Sequence, residues 1–255
     1  MYYDGWMSDD IQPVRPIKRI GITIAFTAIL MSLYMVIGWF QPSTVTLHTV
    51  PTPIDDWVSF SLLWFPLYIF MLPLSWAPAC TFADWRDFRR WVVSAVLLYL
   101  PAVPLWYFWP VTVPREPVPI DGYWTFGLWL LRISDPPVNC LPSMHVAVAT
   151  LAGLVIRRVD PVVGRRILLL MPFIWYSTMA LDQHWFVDGL VGMLFAWGVE
   201  EWTHRRMPRP VHAQAFIDRR WHWAWMSVFV VALIGTWLYW TFVFSTDQLP
   251  SLSAA

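Results

Sequence analysis

The chain has 255 residues, of which 58% are hydrophobic and only 13% charged; an ordinary soluble domain carries about 25% charged residues. Its mean hydropathy is +0.50 and its apolar residues fall in long runs, which argues against a soluble globular domain and against disorder. The 17 basic and 17 acidic residues cancel, so there is no global field for nucleic acid, and the two cysteines supply neither a disulfide framework nor metal-ligand spacing.

A helix that crosses a bilayer needs about 20 apolar residues. In chain order the pattern predicts seven such runs, at 20–40, 57–76, 91–109, 143–156, 167–181, 186–202 and 221–244. Residues 125–133 are amphipathic and read as a short interfacial helix before the fourth run. Pro-rich stretches at 51–53, 110–119 and 136–142 fall between runs and mark loops. The 20 tryptophans suit a protein with two membrane–water interfaces to anchor. Asp4, Asp9 and Asp10 and the length of the first run argue against a cleaved signal peptide.

The Lys and Arg residues alternate in side. Arg15, Lys18 and Arg19 precede the first run, and Arg86, Arg89 and Arg90 lie between the second and third. Arg157, Arg158, Arg165 and Arg166 lie between the fourth and fifth; Arg205, Arg206, Arg209, Arg219 and Arg220 lie between the sixth and seventh. With seven spans, 15 of the 17 basic residues share one side, and Arg115 and Arg132 alone lie opposite. The positive-inside rule then places the N-terminus in the cytoplasm and the C-terminus outside. This topology separates Cys80 from Cys140, which are not expected to pair. The expected organisation is a cytoplasmic tail (1–19), a six-span catalytic domain (20–202), a cytoplasmic basic loop (203–220), and a seventh span with an outer tail (221–255).

Two outer segments carry candidate chemistry. In Cys140-Leu141-Pro142-Ser143-Met144-His145, Ser143 is a good helix cap and His145 falls in the first turn. A helix start presents free N–H groups and a positive dipole end to an anion, and a His there can donate a proton. The bland alternative is a plain helix cap. In Ser177–Gly189, His184 and Asp188 are four apart, so on a helix they share a face, with Ser177 seven residues earlier on roughly the same face. A carboxylate on one imidazole nitrogen leaves the other free to attack. The bland alternative is an interfacial His and Asp facing water. The two segments lie on one predicted side together with Arg115. Two histidines, a carboxylate, a helix N-terminus, a Ser and an Arg suit phosphoryl transfer.

Pro142-Ser143-Met144-His145 resembles the Pro-Ser-x-His motif of the type 2 phosphatidic acid phosphatase (lipid phosphate phosphatase) superfamily. Ser177 to Asp188 resembles that family's Ser-Arg-x5-His-x3-Asp motif. The string from Tyr176 to Leu181, with His184, Phe186, Val187 and Asp188, looks closest to the inositol phosphorylceramide synthase branch, as does Pro51-Thr52-Pro53-Ile54-Asp55. The resemblance implies an all-α integral membrane fold, a six-transmembrane-helix lipid phosphatase-like bundle to which a seventh C-terminal span is added. It implies that His184 attacks phosphorus and forms a phosphohistidine, that Asp188 orients it, and that His145 protonates the leaving alkoxide. Ser143 would hold the phosphate, with Arg115, Ser177 and Thr178 as further phosphate-binding candidates. No metal or other cofactor is implied. Two departures stand out: the family's Lys-x6-Arg-Pro motif is missing in that form, leaving Arg115 as the candidate for its Arg, and Thr178 replaces the Arg of the third motif. The synthase branch shares the second departure, which fits a monoanionic diester donor.

The expected function is therefore transfer of a phosphoryl group from a lipid-linked phosphate at the outer leaflet, with water as the default acceptor. The alternative acceptor is a lipid or sugar hydroxyl. A transporter or scaffold in which the polar cluster only binds, and a metal site made of His145, His184 and Asp188, are the competing readings. His48, His204, His212 and His222 read as loop or span-end residues, and Glu200-Glu201 as a cytoplasmic helix end.

Overall fold

The computed structural model describes residues 14–42, 44–207 and 219–242, so Asp4, Asp9, Asp10, Arg209, His212 and the expected outer tail lie outside the described residues. The described residues are all-helical: α1 (Pro16–Trp39), α2 (Phe65–Thr81), α3 (Trp85–Phe108), α4 (Tyr123–Ser134), α5 (Met144–Arg157), α6 (Pro161–Ala180), α7 (Phe186–Arg206) and α8 (Arg219–Phe242). Three helical segments among them are long and apolar enough to cross a membrane: Pro16–Trp39, Leu62–Thr81 and Trp85–Phe108. Large apolar side chains such as Ile17, Ile29, Leu63, Phe108 and Leu169 stand on the outside of the molecule, as expected of a protein whose solvent is lipid.

Local chemistry sets the helix starts. Asp84 accepts from Arg86 N (2.9 Å) at the head of α3, and Asp160 accepts from Val162 N and Val163 N (3.1 Å each) at the head of α6. Pro16 and Pro161 open α1 and α6, where their missing N–H costs nothing. The second apolar run differs from its expected bounds. Its helix starts at Phe65 with Pro66 in the first turn, behind two short 3-10 turns at Asp55–Trp57 and Leu62–Trp64. Ser61 N is turned aside to Ala180 O (2.8 Å), so the run cannot begin helical at 57.

Helix α5 is the hub. It packs on α2, α3, α6 and α7, and 11 of its 14 residues are buried. Its small residues, Ala147, Ala149, Ala152 and Gly153, admit close neighbours. Both neighbours come close: a Cβ on Gly164 of α6 would stand 2.3 Å from the Arg157 backbone of α5, and one on Gly192 of α7 would stand 2.5 Å from the O of Ser143, which caps α5.

At the α5 N-terminal end three loops are stitched by backbone bonds: His48 N to Pro110 O (3.0 Å), Thr112 N to His48 O (2.9 Å) and Cys140 N to Val111 O (3.2 Å). The two halves of the candidate site and Arg115 therefore share one end of the bundle. The imidazole of His48 stacks on Trp109 (3.9 Å). At the other end of α5, Arg158 grips Glu200 through two bonds of 3.1 Å and Glu201 through one of 2.7 Å. Glu200 is buried near the end of α7, so these bonds clamp that end of α7 to the end of α5. Cys80 and Cys140 are both buried, and Cys140 is a free thiol.

Candidate active site

Ser143 caps α5, its Oγ accepting from Val146 N (3.4 Å), and this fixes His145 one residue into the helix. The other half of the site is built differently from the expectation. His184 is not on a helix with Asp188. It sits in the turn between α6 and α7, and Asp188 is the third residue of α7. Asp182 takes the left-handed conformation (φ 54°), which Asp tolerates better than most residues, and so reverses the chain. Gln183 N and His184 N then both donate to Thr178 O (3.0 and 3.2 Å). Asp188 Oδ2 accepts from Trp185 N (2.8 Å), so the carboxylate that faces His184 also caps the helix.

These turns bring the two histidines into contact. His145 Nδ1 lies 3.0 Å from His184 Nε2, and His145 Nε2 lies 3.0 Å from Tyr68 Oη. His184 Nδ1 is 3.0 Å from Cys140 O and 3.5 Å from Asp188 Oδ2. One proton assignment satisfies every contact: Tyr68 O–H donates to His145 Nε2, His145 Nδ1–H donates to His184 Nε2, and His184 Nδ1–H donates to Cys140 O. The lone pair of His184 Nε2 then faces the proton of His145. Cys140 O is the nearer partner of Nδ1, with the Asp188 charge beside it. Asp188 is fully buried, and its Oδ1 has no hydrogen-bond partner among the described residues.

The remaining sequence candidates are placed as follows. Ser143 N donates to Asp188 O (3.0 Å), tying the two halves together. Ser177 Oγ donates to Ile174 O (2.6 Å) and Thr178 Oγ1 to Trp175 O (2.7 Å); both hydroxyls are turned onto their own helix rather than toward the histidines, because a hydroxyl inside a buried helix satisfies itself on the preceding turn. Thr178 serves through its carbonyl, which anchors the His184 turn. Arg115 pairs with Asp135, Nη2 to Oδ2 and Nη1 to the backbone O, both 3.0 Å. Arg132 donates to Leu181 O (3.1 Å) and Asp182 Oδ2 (3.4 Å), strapping the His184 turn to α4. Burial opposes the charge on both members of that strap, raising the Asp182 carboxyl and lowering the Arg132 guanidinium.

A cavity of about 240 Å³ opens from the two histidines between α1, α2, α3 and α5. Its walls are apolar, with Phe26, Leu30, Met71, Trp91 and Leu151 among them; Met31 and Leu72 at its edge stand exposed on the outside of the bundle. Tyr34, Asp135 and Asn139 line it together with His145 and His184.

Four contributors escaped the sequence. Tyr68 was one aromatic among many in an apolar run. Asp135 was one acid in a Pro-rich loop. The Cys140 carbonyl carries no side-chain signal. Asp55 lay in the Pro51–Asp55 string, which gave the signal but not the role: its Oδ1 accepts from Phe186 N (2.7 Å) at the head of α7, and its Oδ2 from Thr52 N and Oγ1 (2.7 and 2.8 Å).

Among the described residues, potential metal-ligand atoms gather on Cys140, His184 and Asp188, within 4.8 Å of one another, rather than on the His145, His184 and Asp188 of the sequence reading. Zinc bonds of about 2.0–2.3 Å would draw such a trio closer than this. Burial, and next the Asp188 charge, push the Cys140 thiol up, away from the thiolate that a metal prefers. Comparison with protein-family models, with curated proteins and with solved structures gives no match.

Proposed function

We propose that the protein is a membrane enzyme of the lipid phosphate phosphatase type, which transfers a phosphoryl group from a lipid-linked phosphate through a phosphohistidine. The observation that carries the reading is the contact of His145 with His184 at the end of an apolar cavity, with Asp188 behind His184. The cavity suits an acyl or prenyl chain, and its exposed apolar edge suits entry from lipid. In this reading all seven apolar runs cross the bilayer, α5 as a short buried span, while α4 lies in the interface and the histidines face the outer leaflet.

The reaction has two halves. The substrate phosphate seats between the two rings, which part to admit it. His184 Nε2 attacks phosphorus while the P–O bond breaks, and the leaving alkoxide takes the Nδ1 proton of His145. Asp188 stabilises the positive charge that grows on His184. Water or an alcohol then returns a proton to His145 Nδ1 and attacks phosphorus, breaking the P–N bond. Water as acceptor makes the protein a phosphatase.

A second reading, with an alcohol as acceptor, is supported by the pairing of Arg115 with Asp135 and of Arg132 with Asp182. Both outer arginines have their charge balanced, and a dianionic monoester wants more positive charge than a monoanionic diester.

The test uses purified protein without added metal, incubated with labelled lipid phosphomonoesters and phosphodiesters while free phosphate and new lipids are followed. Acid-labile label on the protein, lost in His184→Ala, is the expected result. Turnover that survives His184→Ala in a folded protein overturns the reading.

A further inference from the structure

The cavity wall beside the histidines holds a second polar group that the phosphoryl chemistry does not use. Tyr34 donates its phenol proton to Asp135 Oδ1, while Arg115 occupies Oδ2. Asn139 Nδ2 donates to Tyr34 O (2.7 Å), which fixes the orientation of the amide because a carbonyl partner requires the nitrogen. Its Oδ1 is then left without a hydrogen-bond partner among the described residues, on a side chain that is 1% exposed and lines the cavity. Gly38 permits this arrangement: a Cβ there would meet Pro136 Cβ at 2.3 Å and Asn139 Nδ2 at 2.7 Å.

We propose that Tyr34, Asp135 and Asn139 form a binding site for the hydroxyl group of an uncharged lipid alcohol, set within the cavity beside His145 and His184. The role of that alcohol, as leaving group or as acceptor, rests on the function proposed above; its binding does not.

The chemistry selects the ligand. The unfilled position is an acceptor, so the ligand must bring a donor. A phosphodiester monoanion or a phosphomonoester dianion brings only acceptors, and its charge would face Asn139 Oδ1 and the Asp135 carboxylate. A cation gains little, since Arg115 at 3.0 Å already balances Asp135. A neutral O–H donates to Asn139 Oδ1 and retains lone pairs for a donor beside it. The apolar walls require that the hydroxyl be carried on a hydrocarbon chain.

The probe is 1-monododecanoylglycerol, competed against a chain-diazirine monoacylglycerol that photolabels the protein in phosphatidylcholine nanodiscs. Its dimethyl ether, which cannot donate, is the control. The label is expected on the cavity walls of α1 and α2, and the diol is expected to compete about tenfold better than the ether, as one hydrogen bond requires. Asn139→Leu should erase that preference, and so should Asn139→Ala, which removes the same acceptor with less bulk if Asn139→Leu fails to fold. Both are repeated in the His184→Ala protein, where no chemistry occurs. Equal competition by diol and ether, label outside the cavity, or a preference that survives in a folded Asn139→Leu or Asn139→Ala protein overturns the site. Phosphohistidine formation alongside equal competition would remove this site alone; selective alcohol binding without phosphohistidine would remove the proposed reaction alone.

Discussion

If the proposed reaction holds, Asp188→Asn separates the charge that Asp188 offers to His184 from its structural part. The carboxylate caps α7 through Trp185 N (2.8 Å) and lies 3.5 Å from His184 Nδ1. An amide oxygen can keep the cap, so the fold should persist. The negative charge is lost. For two unit charges 3.5 Å apart, an effective dielectric of about 20 gives roughly 5 kcal/mol. Each ~1.4 kcal/mol is tenfold in rate, so the ceiling is between three and four powers of ten. The charge on His184 is only partial in the transition state, so a fall in kcat of roughly 10²–10³-fold is expected, with KM little changed. Stability should fall by no more than about 1 kcal/mol, or about 2–4 °C in Tm. The assay is steady-state turnover of a lipid phosphate in detergent, beside a melting curve of the same preparation. Turnover within tenfold of the parent in a folded protein would refute the reasoning. So would a loss that follows unfolding alone.

Other outcomes follow from the same geometry. Tyr68→Phe removes the donor to His145 Nε2 (3.0 Å) and should lower kcat about tenfold without changing Tm by more than a few degrees; an unchanged rate would place the phenol outside the reaction. Asp55→Ala strips the cap from Phe186 N and should cost about 1–2 kcal/mol by denaturant melting, with Asp55→Asn recovering most of it; equal losses in the two variants would rule out capping as the cause. The Cys140 thiol, pushed up by burial and by Asp188, holds little thiolate at neutral pH and more as pH rises. N-ethylmaleimide should therefore modify Cys140 at least about tenfold faster in the detergent-unfolded chain than in the folded one, as read by peptide mass spectrometry, and equal rates would contradict its burial.

Much of the frame was legible because membrane helices announce themselves by continuous apolar composition. Every predicted apolar run has a helix over most of its length, and the amphipathic segment at 125–133 forms the short α4 at Tyr123–Ser134. The run at 57–76 was misplaced because hydropathy does not register where a backbone N–H is diverted, here Ser61 N to Ala180 O. Periodicity also misled at the site. A four-residue spacing suggested that His184 and Asp188 share a helix face, whereas a left-handed Asp182 and an N-cap bring them together. Spacing along a chain is the same for a helix and for a cap, and only backbone dihedrals separate them.

The sequence by itself determined the all-helical, lipid-suited character of the chain and drew attention to Ser143, His145, His184 and Asp188, because composition and short motifs are local properties. Tertiary structure alone decided that Arg115 is engaged by Asp135, that Ser177 and Thr178 turn their hydroxyls inward, and that Tyr68, Asp55 and Asn139 belong to the site. Tyr68 meets His145 across 77 positions and Asp55 meets Phe186 across 131. Such pairings exist only once α5 is buried among its neighbours, since burial is what obliges each polar group to find a partner.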